Sequence, residues 1–300
     1  MKKLCVYSLA VMALCAACPA YAVRWEEVKS EHFILYHEPL RETGDTAEQR
    51  EAKRVFLKDV LEKAEDYYKV IAADLGYPRY SEFWTWEKRV KVYIYPDREQ
   101  FLKDTREPAW SHGMADYHRK AVYGYSLSAN FLESILPHEI AHLVFRDFVG
   151  FKGEIPLWLD EGVAQWEEKL DKTAIKEKIA ELYGNDALLS ITDMMNLDIR
   201  SIKSNDRIYI RMVPTSMDTK TVLFLDARSL VNTYYLQSSA MVGFLIERFG
   251  STEFANFCRQ LRDGKSVEQS LIDTYPAHIK GLDDFERQWR RYIVAGSQKK

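Results

Sequence analysis

Cysteine is scarce in this 300-residue chain, and most of it lies at one end. Cys5, Cys15 and Cys18 fall in an N-terminal segment that we expect to be removed, so Cys258 is left alone. A lone cysteine has no partner for an intrachain disulfide. The mature chain is therefore predicted to fold without one.

Positive charge is not in excess either. The chain has 42 basic and 45 acidic residues. Removal of the N-terminal segment takes away Lys2 and Lys3 and no acid, so 40 bases remain against 45 acids and the formal net charge becomes -5. This balance does not favour a nucleic-acid partner, and none is predicted.

Long hydrophobic runs are missing except near the N-terminus. Residues 4–17 are apolar but too short to span a membrane in the mature protein; Lys2 and Lys3 precede them, and Ala-Tyr-Ala follows at 20–22. This pattern predicts a signal peptide at residues 1–22 and export to the periplasm or the extracellular space. Cys18 leaves a lipid-modified N-terminus open, although Cys15 stands where the bacterial lipoprotein signal normally has leucine. No membrane span is predicted in the mature chain.

About 278 residues remain, enough for one large core or two subdomains, and their patterning predicts an α+β fold. Residues 46–75 carry apolar side chains at three- and four-residue steps, which indicates a long amphipathic helix ending at Gly76. Val90, Val92 and Ile94 alternate with other residues, as in a strand. Further strands are predicted at 32–37, 121–126, 208–213 and 221–225, and further helices after Asp97 and at 172–183, 232–249, 252–261, 267–274 and 283–294.

The strand at 121–126 lies directly before the best candidate for a functional site. If it forms a sheet edge, its free backbone groups could pair with an extended peptide. It could equally be closed off by the protein itself.

That candidate is a pentapeptide with the spacing of metal ligands. His138 and His142 are four residues apart in His-Glu-Ile-Ala-His, so on a helix one ion can bridge both imidazoles. Apolar neighbours predict such a helix, and Pro137 fits if the helix begins near residues 134–137. Glu139 would project beside the ion, which suits a base acting on water. The alternative is a buried, purely structural histidine pair.

Glu161 supplies a third ligand. Eighteen residues separate it from His142. A short loop at 150–156 and a second helix from Leu157 let the chain turn back toward the histidines. Three protein ligands leave one coordination position open, as in catalytic zinc sites. We therefore predict that His138, His142 and Glu161 bind Zn²⁺.

These residues resemble the gluzincin zinc metallopeptidases, and most closely the peptidase MA-like family. The resemblance is carried by residues 138–142 and 156–165, and also by 235–250 and 285–289. It implies a zincin-like catalytic domain at 23–170, with an N-terminal mixed sheet and the metal helix. It further implies a mainly helical C-terminal part at 171–300 that completes the cleft, to which the sequence adds a strand pair at 207–226. In this family His138, His142 and Glu161 would be the zinc ligands and Glu139 the general base.

Other side chains are predicted near the metal on weaker signals. Tyr235 begins the segment that resembles the family's tyrosine-containing helix, so it is the candidate donor to an oxyanion, with Tyr234 as runner-up. A tyrosine on an apolar helix is otherwise a core residue. Asp160 and Gln165 could orient a zinc-bound imidazole, or could be solvated or capping residues.

The sequence thus predicts an exported zinc-dependent metallopeptidase. It would hydrolyse a peptide or protein substrate through a zinc-activated water, with Glu139 as general base. One alternative is a non-catalytic zinc-containing binding or assembly protein of the cell envelope, against which the intact Glu139 argues. Another is a zinc amidase with a non-protein substrate, because the metal chemistry says little about what surrounds the carbonyl.

Overall fold

The computed structural model describes residues 25–40, 45–77, 88–107, 111–126, 128, 130–150, 155–168, 171–203, 205–214 and 220–297. The predicted signal peptide at 1–22, with Cys18, lies outside the described residues.

A mixed sheet of five strands forms the N-terminal part of the fold. It contains β1 (Glu26–Lys29), β2 (Phe33–His37), β3 (Val90–Tyr95), β4 (Met114–Asp116) and β5 (Ala121–Tyr125), in the order β1-β2-β3-β5-β4. The central strands β2, β3 and β5 are parallel, whereas β1 and β4 are antiparallel to their neighbours. The predicted strands at 32–37, 90–95 and 121–126 are confirmed.

Of the two possibilities left open for the strand at 121–126, the structure has the second, in which the protein itself covers the strand. β5 lies between β3 and β4, and Tyr123 of β5 pairs with Met114 of β4. Among the described strands, β4 is therefore the edge on this side. Its three residues are too short a run to show a strand pattern, so only tertiary pairing reveals it.

One face of the sheet packs against two long helices. Phe33 and Leu35 on β2 and Val92 on β3 alternate along their strands and are fully buried. They belong to one hydrophobic cluster with residues of α1 (Ala47–Asp74) and α3 (Leu136–Val149). The other face is partly covered by α2 (Arg98–Thr105), which Asp97 caps by accepting a hydrogen bond from the backbone N–H of Gln100.

α1 is the long amphipathic helix predicted at 46–75. Thr46 accepts a hydrogen bond from the Gln49 N–H, and the Gln49 side chain accepts one from the Thr46 N–H, so a capping box fixes the start. Gly76, with φ of 62°, lies in the left-handed region that favours glycine and ends the helix.

The histidine pair lies on a helix that follows a π turn. Phe131–Ile135 form the π turn and α3 continues from Leu136, with Pro137 in its first turn as expected. α4 (Leu157–Glu167) begins at the predicted residue and packs against α3. The two helices bring together the segments that carry the predicted metal ligands.

The C-terminal part is mainly helical, as predicted. Its elements are α5 (Lys172–Gly184), α6 (Ile191–Asn196), the antiparallel pair β6 (Arg207–Pro214) and β7 (Lys220–Asp226), α7 (Ala227–Phe249), α8 (Ser251–Arg262), α9 (Val267–Thr274) and α10 (Leu282–Ser297). α7 starts five residues earlier than the expected residue 232, because Asp226 caps it by accepting from the Ser229 N–H. α6 was not predicted.

One hydrophobic core extends through the described chain. It includes Leu35 of the sheet, Leu159 of α4 and Phe285 of α10, so residues on both sides of the expected boundary at 170 contribute to it. Cys258 of α8 is also fully buried there. The α+β class is confirmed. Among the described helices, none combines the length and the apolar character that crossing a membrane requires.

Candidate metal centre

Three predicted ligands converge between α3 and α4. The Nε2 atoms of His138 and His142 lie 3.1 Å apart, and Oε2 of Glu161 lies 3.6 Å from each of them. Both imidazoles are largely shielded from solvent, and Glu161 is buried. The predicted convergence of the three side chains is confirmed, and together they could hold one metal ion.

The spacing of these donor atoms fits a single small divalent ion. Tetrahedral ligands at about 2.0–2.1 Å from one ion stand about 3.3 Å from one another. The three observed separations, 3.1, 3.6 and 3.6 Å, lie on both sides of that value. Very little movement would therefore be needed for the three atoms to share an ion.

The other nitrogen of each imidazole is held by a carboxylate. Nδ1 of His138 lies 2.9 Å from Oε1 of Glu168, and Nδ1 of His142 lies 3.2 Å from Oδ1 of Asp160. A carboxylate at Nδ1 fixes the proton there and leaves the Nε2 lone pair for a metal, which is the usual arrangement behind a metal-bound histidine. Both rings are therefore oriented with Nε2 toward the shared position.

Glu168, rather than Gln165, orients the imidazole ring of His138. Asp160 has the contact that the sequence suggested, but no hydrogen bond joins Gln165 to either histidine in the described part of the chain. Glu168 lies seven residues after Glu161, two turns along the same helical face, and this spacing could have identified it. The Ser134 hydroxyl donates to the other oxygen of Glu168.

Two arginines compensate part of the negative charge. Nε and Nη2 of Arg146 donate to the two oxygens of Asp160 at 3.2 and 2.8 Å. Nη2 of Arg200 donates to Oε1 of Glu161 at 3.0 Å. The carboxylates of Glu139, Asp160, Glu161 and Glu168 outnumber the two guanidinium groups by two. With neutral imidazoles, the centre therefore keeps a net negative charge, to which Glu107 near Glu139 adds, and a bound cation would compensate it.

The electrostatic environment shifts the pKa of each ligand. Burial lowers the pKa of His138, but Glu161 and Glu168 outweigh it and raise the pKa to about 9. Burial of His142 is likewise outweighed, by Asp160 and Glu161, and its pKa lies well above the ordinary value. Burial raises the pKa of Glu161, yet the two histidines hold it well below the usual range. Protons and a metal ion would thus compete for the imidazoles.

Glu139 lies beside the histidines with its carboxylate uncommitted. Burial is the main cause that raises the pKa of this carboxyl group. Within the described residues its oxygens accept no hydrogen bond, and 9 % of the residue is exposed. Gly113, next to β4, approaches it closely: a Cβ built there would lie 3.3 Å from Oε1 of Glu139. Glu139 is therefore placed between the metal ligands and the edge strand.

The hydroxyl groups of Tyr234 and Tyr235 differ in their hydrogen-bond partners. Burial and the negative charge of Glu161 raise the pKa of Tyr235, while Arg200 acts against them. The Tyr234 side chain is fully buried, and its hydroxyl donates to the carbonyl of Met194 at 3.2 Å. Of the two predicted candidates, only Tyr235 has a hydroxyl without such a fixed acceptor in the described part of the chain.

Gly162 allows α4 and α7 to pack closely. A Cβ at Gly162 would lie 2.6 Å from the carbonyl oxygen of Ser238 and 2.8 Å from Cγ2 of Val242. The backbones of α4 and α7 therefore meet directly after Glu161, and a larger residue would separate them.

A second described group, Glu31, His32 and Glu65, also has donor atoms within reach of one ion. Oε1 of Glu65 already accepts from the Ser30 hydroxyl at 2.6 Å and from the His32 N–H at 2.7 Å, and Oε2 lies 2.7 Å from Nδ1 of His32. The group is closed by its own hydrogen bonds, and it ties the start of β2 to α1.

No family model matches the chain, and no curated protein matches it. The likeness to the gluzincins therefore rests on the residues named above, and what it implies stays a prediction.

Proposed function

We propose that this protein is an exported zinc-dependent metallopeptidase of the gluzincin type with a zincin-like catalytic domain. The observation that carries the proposal is the convergence of Nε2 of His138, Nε2 of His142 and Oε2 of Glu161 within 3.6 Å, with Glu139 uncommitted beside them. A structural zinc site usually closes its fourth position with a further protein ligand. Here the described chain offers three ligands and a neighbouring carboxylate.

The roles of the residues follow from this arrangement. His138, His142 and Glu161 would hold the ion, while Glu168 and Asp160 keep the two imidazoles oriented. A bound zinc ion would supply Lewis acidity, which lowers the pKa of water and polarises a carbonyl. Zinc is favoured over Mg²⁺ or Ca²⁺ because two of the three donors are imidazole nitrogens.

Glu139 would transfer the proton. Its carboxylate accepts a proton from the attacking water and later gives it to the amine nitrogen that leaves. Burial raises the pKa of this carboxyl group in the metal-free site. Tyr235 would donate its hydroxyl hydrogen to the oxyanion that develops on the substrate carbonyl.

The sheet edge supports a peptide as the substrate. β4 is the outer strand on this side of the described sheet, and Gly113 just before it lies next to Glu139. An extended peptide that pairs with β4 would run past the proposed base. In this proposal the peptide would pair with 114–116 and not with 121–126, because β4 covers the latter.

The test is metal content and hydrolysis in the same preparations. Purified protein should contain one zinc ion per chain and cleave an unstructured protein such as casein, and a chelator should abolish the cleavage. Glu139→Gln should retain zinc and lose about 10²–10⁴-fold in kcat. Glu62→Gln, at an exposed position of α1, is the matched control and should behave as wild type.

The outcomes separate the alternatives. Zinc binding without hydrolysis of any peptide would favour a non-catalytic envelope protein, or an amidase if a non-protein amide is cleaved. Full activity of Glu139→Gln would contradict the proposed base.

A further inference from the structure

We propose that Arg200 holds one oxygen of Glu161 in a hydrogen bond, so that this carboxylate binds the metal through Oε2 alone and a coordination position of the metal stays open. The inference rests on the proposed metal site and concerns how Glu161 would bind there. It does not depend on which substrate the protein cleaves.

The two oxygens of Glu161 have different partners. Oε1 accepts from Nη2 of Arg200 at 3.0 Å, whereas Oε2 faces Nε2 of His138 and of His142 at 3.6 Å. A carboxylate whose oxygens are both free can bind one ion through both of them. The hydrogen bond from Arg200 engages the oxygen that such two-point binding would need.

Neighbouring residues hold both the backbone and the guanidinium group of Arg200. Its backbone belongs to the short 3-10 turn Ile199–Ser201, where Asp198 accepts from the Arg200 N–H at 3.1 Å. Its guanidinium also lies 3.9 Å from Oδ2 of Asp160, which Arg146 holds in turn. The position of the donor is therefore set by the fold and not by Glu161 alone.

The side chain of Arg200 is nevertheless 59 % exposed, so it does not fill the core. A guanidinium carries five N–H donors in a rigid plane, and only one needs to point at Oε1. Replacement of Arg200 should therefore remove the tie to Glu161 without leaving a large cavity. Substitution of Arg200 can therefore test its role without disrupting the fold.

A catalytic zinc site keeps one coordination position of the metal free of protein ligands, whereas a structural zinc site does not. Three single-atom ligands and one water make the ion four-coordinate and leave room for a further group, whereas two-point binding by Glu161 would add a fifth donor atom and occupy that room. Arg200 is thus a positioning residue that acts through Glu161.

The experiment uses Co²⁺ as the probe ion in the metal-free full chain. Four-coordinate Co²⁺ absorbs visible light more strongly than Co²⁺ with five or six ligands, so the band intensity reports the coordination number. Arg200→Met keeps the aliphatic stem and removes the donors, and Arg200→Ala serves if the first variant does not fold. Arg200→Lys retains a donor, and Arg228→Met is the matched control at an exposed arginine of α7.

We expect strong absorption in wild type and Arg228→Met, a marked loss of intensity at saturating Co²⁺ in Arg200→Met, and at least partial recovery in Arg200→Lys. Equal spectra of wild type and a folded donor-free variant would overturn the role of Arg200 and leave the metal site intact. Absence of Co²⁺ and Zn²⁺ binding by wild type would overturn the metal site and this inference together. The metal affinity of the variants does not distinguish these outcomes. Loss of the positive charge of Arg200 would strengthen cation binding, whereas loss of its hydrogen bond to Glu161 would weaken it.

Discussion

Nδ1 of His138 lies 2.9 Å from the carboxylate of Glu168, which caps the C-terminal end of α4. This contact turns Nε2 of the same ring toward His142. The metal position is thus defined by residues that would not touch the ion as well as by its ligands.

Replacing Glu168 should weaken zinc binding. Glu168→Ala removes the acceptor at Nδ1 of His138, and loss of such a group typically lowers metal affinity about 10–100-fold. Gln165→Ala, on the same helix, should leave the affinity unchanged. Competition with a chromophoric chelator measures both. Equal loss in the two variants would show that helix stability, and not the contact with His138, controls the affinity.

The two neighbouring tyrosines should have separable effects. Tyr235→Phe should lower kcat about 10²–10³-fold with little change in zinc content, because an oxyanion donor is lost. Tyr234→Phe should leave kcat unchanged and lower the free energy of unfolding by about 1 kcal/mol, since it removes the hydrogen bond to Met194. Steady-state kinetics and urea unfolding of both variants provide the measurement. Unchanged kcat in Tyr235→Phe would remove Tyr235 from the mechanism.

The metal-free protein should lose stability as the pH rises. The pKa of His138 is raised in the fold to about 9, above its unfolded value of about 6.5. Its contribution is therefore complete below pH 6.5 and disappears as the pH passes through 9, a change of about 1–3 kcal/mol. Urea unfolding in the presence of a chelator, at pH 6.5 and 9.5, measures it.

His138→Gln is the control for this profile. It should show a flatter dependence of the unfolding free energy on pH in the same range. Zinc affinity of the wild type should change in the opposite sense and increase with pH, because protons compete for the imidazoles. A metal-free wild type that is equally stable at both pH values would contradict the assignment.

A methyl group at Gly162 should disturb the packing of α4 on α7. The 2.6 Å approach to the Ser238 carbonyl cannot accommodate it, so Gly162→Ala should destabilise the protein by about 1–3 kcal/mol. Gly184→Ala, at the end of α5, has open space around the added carbon and should be neutral or slightly stabilising, by about 0.4–1 kcal/mol. Thermal unfolding of both variants measures the difference. Similar effects would mean that helix propensity, and not the close approach, dominates.

Much of this centre was predictable because its signals are local. The four-residue offset of His138 and His142 is a property of one helix, and Glu161 required only a short loop and a second helix. The helices themselves were recognisable from apolar spacing and from caps such as Thr46 and Asp97. In each case neighbours in sequence determine the geometry.

The remaining features depend on contacts between distant segments. β4 is too short to show a strand pattern and becomes an edge only by pairing with β5, so the sequence left open whether 121–126 formed the edge. Arg200 lies in a short turn without periodicity, and only tertiary folding brings it to Glu161. The sequence shows that Glu168 lies at a helical spacing from Glu161. Its contact with His138, however, depends on how that ring is oriented on α3.

The buried position of Cys258 has a consequence if the protein is exported as proposed. Enclosure in the core raises the pKa of this thiol, so it stays protonated, and a buried protonated thiol reacts slowly with oxidants. If the other three cysteines are removed with the predicted signal peptide, the folded protein would present no reactive thiol to an oxidising compartment. Copies of the chain would therefore remain unlinked by disulfides without the help of a reductant.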